Sequence, residues 1–373
     1  MSTLMQASNQ WASRPDDERF LSLDALHAHA VTQKQNSKAA VLANRDFKVE
    51  PVGDDHKSLA VYGPNGGAVS MTNWSFGQLA SLSGAPAGYL KTLPSELIAD
   101  NMNYGLHVNR DVEEIGVLLT RTDVNNADPA LEAYNPIQLR AATGPNYGRI
   151  WNGDVVHNLR EVVGDGVTGD WRVPGEFGKP VVVNKNNTTL YAGDRDMFVF
   201  LADEKNLIEV PDPKGGKRLM SRGFFTWNSE VGSATFGIST FLFDYVCMNR
   251  MVWGAQDVQE VRIRHTSGAP HRFNEELAPA LDAYSRGSVK AIVDGVTAAQ
   301  EFRISNVDEF LAKRFGARTV SKLKDISLVE EDRPIETIWD TVQAVTAMAR
   351  EIPHQNKRVE LERQAGNLMA LAA

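Results

Sequence analysis

A chain of 373 residues is long enough for roughly two domains, or one large domain with an appendage, and can bury a sizeable core without covalent staples. Its single cysteine, Cys247, excludes an internal disulfide, and apolar runs such as Phe241 to Val246 fall far short of the roughly 20 residues that span a bilayer. A formal net charge of -8 with 23% charged residues excludes long-range attraction of the whole molecule to nucleic acid or an anionic membrane, so any polyanion site has to be a local patch.

The N-terminus lacks a charged-then-apolar start, which sets the expectation of a cytoplasmic protein with no membrane partner. Residues 1–55 are polar and rich in Ala, Ser, Gln and Asn, with one short helical stretch around Phe20 to Ala30, and are expected to form a loosely ordered arm. A hairpin is predicted over Leu59 to Met71, where PNGG supplies the positive φ angles of a tight turn. From Ser75 to Asn103 apolar residues recur at helical spacing, cut into short helices by Gly84, Pro86 and Pro94. The helix, glycine, helix pattern of Gln78 to Leu93 has the outline of a helix-turn-helix. Lys91 is the one basic side chain on its second helix, so a packed helical hairpin is favoured over duplex readout.

Strand signals dominate next, at Ile115 to Thr120, Ile137 to Ala142, Val181 to Asn184, Thr188 to Ala192, Met197 to Leu201, Gly223 to Trp227, Thr235 to Phe243 and Val258 to His265. Beyond Gly268 the composition turns to helix formers, with helical periodicity over Glu275 to Val293, Val307 to Phe315, Ile335 to Ala349 and Val359 to Leu371. The reading is an α+β fold: a β-rich central domain over 56–267, with an antiparallel or mixed sheet and a short helical hairpin, followed by a helical C-terminal layer over 268–373.

The densest constellation is Gly223 to Gly254. Asn228, Ser229 and Glu230 make a polar island between apolar strands, Gly232 permits a turn, and Cys247 and Asn249 close the stretch. One reading makes the island the lining of a site. The structural alternative has Asn228 and Ser229 bonding the backbone of a turn while Glu230 pairs with an arginine.

The NSEVG run, the later Cys-x-Asn, LYAGDRDMFVFL at Leu190 to Leu201, LRAATGPNYGRIWNGDVV at Leu139 to Val156 and IWDTVQAVTAMAR at Ile338 to Arg350 together resemble the phage/plasmid-like protein family. That family is a domain of unknown function found in prophages, phages and plasmids, and the likeness covers most of the chain after about Phe76. Arg250 follows Asn249 where the family usually has glycine, and GPNYG stands where a Ser-Asp-Arg-Tyr-like run is frequent, so that only Tyr147 matches there. The resemblance implies a mobile-element setting, in a bacterial host, and supplies no catalytic residue.

Lys214, Lys217, Arg218 and Arg222 stand together without an acidic residue, and Phe224, Phe225 and Trp227 follow at once. Cations beside stackable rings suit a sequence-tolerant single-strand site, because phosphates attract charge and every base offers a π-face. Period-two alternation puts Phe225 and Trp227 on the expected binding side and Phe224 in the core, and sets Arg262 and Arg264 together opposite Val261 and Ile263. Tyr147, Arg149 and Trp151 offer a third piece. The expectation is therefore ATP-independent single-stranded DNA binding or annealing in recombination by a homo-oligomer with no cofactor, no metal and no catalytic residue. Two alternatives stand beside it. A divalent metal gathered by Asp194, Asp196 and Glu230 would make an enzyme, and an anti-defence protein would act by binding a host protein.

Overall fold

Apolar alternation and continuous apolar runs in the middle of the chain produce two β-sheets, and amphipathic segments on either side produce the helices that cover them. A computed structural model describes residues 14–54, 56–64, 67–108, 113–122, 136–174, 182–244, 249–251, 260–285, 287–352 and 355–372. The first half runs β1 (Arg19–Phe20), α1 (Leu23–Gln35), β2 (Ser37–Ala43), β3 (Lys48–Val52), β4 (Ser58–Tyr62), β5 (Ala68–Met71), α2 (Asn73–Leu82), α3 (Ala87–Leu90), α4 (Ser95–Val108), β6 (Glu114–Arg121), β7 (Ile137–Thr143) and α5 (Asn152–Val163). Strands β8 (Trp171–Arg172), β9 (Leu190–Ala192), β10 (Met197–Asp203), β11 (Ile208–Pro211), β12 (Lys217–Asn228), β13 (Phe236–Asp244), β14 (Asn249–Met251) and β15 (Glu260–Ile263) follow. The C-terminal helices are α6 (Ala269–Ser285), α7 (Val289–Glu301), α8 (Val307–Phe315), α9 (Ala317–Glu331), α10 (Ile338–Arg350) and α11 (Gln355–Met369).

The larger sheet has the order β1-β9-β10-β12-β13-β14, with β8 on β10, β11 on β12 and β15 on β13, and its pairs are antiparallel. The smaller sheet, β2-β6-β7-β5-β4-β3, is mixed through the parallel pair β5 and β7. The α+β class with antiparallel and mixed sheets and C-terminal helices is what the structure shows. Among the described residues no helix is long and apolar enough to cross a membrane.

One face of the large sheet carries two cores end to end. Val199, Leu201, Phe224 and Phe236 pack with Leu23 of α1, Leu159 of α5 and Phe273 of α6. Met220 and Leu242, further along the same strands, pack with Ile292 of α7 and with Trp339 and Val342 of α10. Helix α10 is buried along almost its whole length, and a capping box between Thr337 and Asp340 starts it. The opposite sheet face is a layer of rings, Phe198, Phe200, Phe225, Phe241 and Phe243. The small sheet packs its own core, Val49, Val61, Ile115 and Val117, against Leu79 of α2 and Met102 of α4.

Several expectations need correction. The segment expected to be a loosely ordered arm is structured from Asp16 to Val52: Leu23 and Leu26 are fully buried, β2 pairs along β6, and Phe47 and Val49 enter the small-sheet core. The sparse apolar residues there suffice because Leu23, Leu26, Phe47 and Val49 each reach a core, while Leu21 and Val41 stay exposed. Residues 182–184 form no strand, and Val181 lies outside the described residues. The helix expected over Glu275 to Val293 is two helices, with Ser288 capping the second through the Ala291 N–H. Helix α9 has no counterpart among the expected elements, since its apolar residues do not keep to one stripe: Leu323 is buried while Leu328 and Val329 are exposed. The boundary expected near Gly268 runs through a core, because Phe273, Leu277 and Leu281 pack with the strands before it.

Candidate nucleic-acid interface

Strand β12 ends in the polar island, and the island joins the two sheets. Glu230, fully enclosed, accepts from Arg140 Nη1 of β7 at 3.1 Å and from the backbone N–H of Asn152, at the start of α5, at 2.8 Å. Asn228 Nδ2 donates to Ile150 O and to Asn152 Oδ1, each at 2.8 Å. Ser229 Oγ donates to Arg195 O at 2.7 Å and accepts from the Ser233 N–H at 2.9 Å, closing a turn that passes through Gly232 at a φ of +82°. The Val231 carbonyl then accepts from Trp74 Nε1 and Gln78 Nε2 of α2, at 3.0 and 2.8 Å. These are the contacts of the structural alternative: a turn held by Asn and Ser, with its glutamate paired to a buried arginine. The carboxylate of Glu230 faces no open space, so it is a positioning residue.

What the island positions is a rim of rings and cations. The Arg149 guanidinium, which donates to Glu230 O, lies 5.2 Å from the Tyr147 ring and 5.7 Å from that of Trp151. Tyr147 itself donates to Ser229 O at 2.8 Å. Arg195, exposed, sits 5.9 Å from the Trp74 ring, and Lys34 lies 5.7 Å from Trp151 while also pairing with Asp154 at 2.7 Å. Trp74 and Trp151 are half-buried against Leu118, Ala141 and Val231 at the seam between the sheets.

The rim continues onto β15 and the residues that follow it. His265 stacks on Tyr147 with ring centroids 4.9 Å apart, and its carbonyl accepts from the Gly148 N–H at 3.1 Å. The backbones touch here, since a Cβ on Gly148 would stand 1.8 Å from Thr266 O. Arg262 and Arg264 are exposed on either side of the fully buried Ile263, and Arg262 lies 5.5 Å from the ring of Trp227. Trp227 lies flat across Gly237 of the neighbouring strand, where a Cβ would be 2.1 Å from its ring. Burial lowers the Arg149 guanidinium below its ordinary value, raises the Tyr147 phenol, and lowers the His265 imidazole.

The structure divides the predicted site residues. Arg262, Arg264 and Trp227 are on the rim. Lys214 and Lys217 are exposed, but Lys217 pairs with Glu209, and ten residues of strand, roughly 33 Å, separate it from Trp227. Arg218 is 1% exposed and pairs with Asp212, Asp244 and Glu331, and Arg222 is buried and donates to Gly287 O. Neither reaches a surface groove, because strand alternation turns both toward the helical layer. Phe225 is 2% exposed within the ring layer, stacked on Phe198 and Trp227, so the expected binding-side role fails for it, while Phe224 is buried. Cys247 lies outside the described residues, and Asn249 contributes backbone pairing with Asp244.

The metal alternative does not assemble either. Asp196 pairs with Arg14, Glu230 with Arg140, and Asp194 is exposed; no group of three or more potential ligands forms among the described residues. The supposed recognition helix, α3, has four residues, too few to read a groove. Trp74, Arg195 and Lys34 are rim residues that sequence reading missed. Each stands far along the chain from the ring or motif it meets, and no local spacing reports such a meeting.

No curated protein and no solved structure matches the chain. Residues 143–366, more than half of the chain, match a family described as Domain of unknown function (DUF932), a span that includes the polar island, Arg149, Arg195 and Arg262. The chain belongs to that family.

Proposed function

We propose that this protein binds single-stranded nucleic acid, without ATP, in the DNA metabolism of a phage, prophage or plasmid, with annealing during recombination as its role and the homo-oligomer as its working form. The observation that carries this reading is the rim itself. Trp74, Trp227 and the pair Tyr147 and Trp151 are half-buried rings, each with an arginine 5.2 to 5.9 Å from its centre. Arg149, Arg195 and Arg264 have no carboxylate partner among the described residues. Rings held at their edges can stack bases of any sequence, and unpaired guanidinium groups attract the phosphates between them. The net charge of -8 requires such a site to be local, which the rim is. The resemblance to the phage/plasmid-like family supplies the setting.

The test is affinity for an oligothymidylate and for a duplex of equal length at one salt concentration. The single strand is expected to bind more tightly, because stacked duplex bases cannot reach the rings. Equal or weaker single-strand binding would contradict the proposal.

A further inference from the structure

Beside Arg149 the face of the small sheet is open. Val41, Gly116 and Thr143, paired across three strands, line a shallow cleft of about 170 Å³ together with Ala39, Gly144 and Arg149. That volume is well below the roughly 300 Å³ at which pockets for drug-sized ligands begin, and suits a single small group. Of the residues lining the cleft, Arg149 is the one that carries charge, and no carboxylate is among them. A guanidinium has five N–H donors. Arg149 uses Nη1 on the Glu230 carbonyl, its Nε is buried without an acceptor, and no acidic side chain pairs with it. The two rings beside it hold the guanidinium in place. A fixed, partly desolvated cation at the wall of a small cleft that no carboxylate lines is short of an anion.

We infer that this cleft is a phosphate subsite, in which Arg149 takes the oxygens of one phosphate group over the floor formed by Ala39, Gly116 and Thr143. Arginine is suited to this because its planar fork meets two phosphate oxygens at once. The inference rests on the nucleic-acid reading for the source of that group, a backbone phosphodiester, and not for the anion site itself.

The test uses the exposed lip of the cleft, so that the contacts of Arg149 with the island are left alone. Val41, on edge strand β2, is 48% exposed and lines the cleft. Val41→Glu places a negative charge at the mouth and Val41→Lys a positive one, with Val41→Gln as the neutral control. The probe is inorganic phosphate, read as the rise in thermal midpoint over chloride at equal ionic strength. Phosphate is expected to raise the wild-type midpoint, to raise that of Val41→Lys more, and to lose most of its effect in Val41→Glu. Arg149→Lys, provided that its midpoint in chloride stays near wild type, is expected to lose the effect as well. No phosphate-specific rise, or the same rise in Val41→Glu and Val41→Lys, overturns the subsite. Oligothymidylate binding separates the two claims. A charge-ordered phosphate response without oligonucleotide binding keeps the subsite and removes the nucleic-acid reading. Oligonucleotide binding that ignores position 41, with no phosphate response, removes the subsite and leaves the reading standing.

Discussion

Glu230 and Arg140 form a buried pair that ties the end of β12 to the small sheet, with side-chain exposures of 0% and 4%. Taking away one partner leaves the other charge enclosed without compensation, which costs about 3–5 kcal/mol where such pairs have been broken. Glu230→Gln is therefore expected to lose stability of that order in urea unfolding. A loss under about 1 kcal/mol, the size of a surface pair, would show that the island is not the joint described. The polar island is legible in the sequence because three polar residues interrupt two apolar strands. Its partner is not, since Arg140 stands 90 residues upstream in the other sheet and nothing in its own neighbourhood marks it for Glu230.

At the scale of the element, β12 shows how alternation informs and misleads. Phe224 and Phe225 point to opposite faces as period two requires, and Phe224 enters the core beneath α6. Alternation cannot tell whether the second face is open. Here Phe225 stacks on Phe198 at 5.8 Å and Trp227 at 5.6 Å, and both faces are buried at that point. Phe225→Ala is accordingly expected to cost about 3–5 kcal/mol of stability. Trp227→Ala, at the half-buried end of the same row, is expected to cost about 1–3 kcal/mol of single-strand binding and less stability than Phe225→Ala. Melting temperature and affinity measured on both variants check the split, and a selective loss of binding in Phe225→Ala would contradict it. The basic run from Lys214 to Arg222 misleads for a related reason. A charge run reads as a solvated surface, yet Arg218 and Arg222 are turned inward, where carboxylates from β13 and α9 and a backbone carbonyl receive them. Those acceptors are distant in sequence.

For the whole molecule, the class was legible because the switch from strand to helix signals near Gly268 is compositional, whereas the packing of α6 onto the preceding strands depends on tertiary contacts. The seam between the sheets also brings a pH dependence. Burial, aided by Arg149, lowers His265 below its ordinary value of 6.5 against the opposing hydrogen bond to Gly148 O. The unfolded chain then binds that proton more readily than the folded one, so the contribution is fully present above pH 6.5 and is lost as pH falls toward the folded value. Unfolding at about pH 7.5 and about pH 5.5 is expected to show wild-type stability falling more than that of His265→Gln. An equal fall in both would contradict it. The central claim, that the rim and not the β11–β12 loop carries single-strand binding, is tested most directly by the salt dependence of oligothymidylate affinity. Replacing Arg195, Arg262 and Arg264 together with Gln is expected to lower the logarithmic slope by about 0.7 for each phosphate that the variant no longer neutralises, while Lys214→Ser with Lys217→Ser leaves it unchanged. A slope that holds in the arginine variant and falls in the lysine variant would contradict the account.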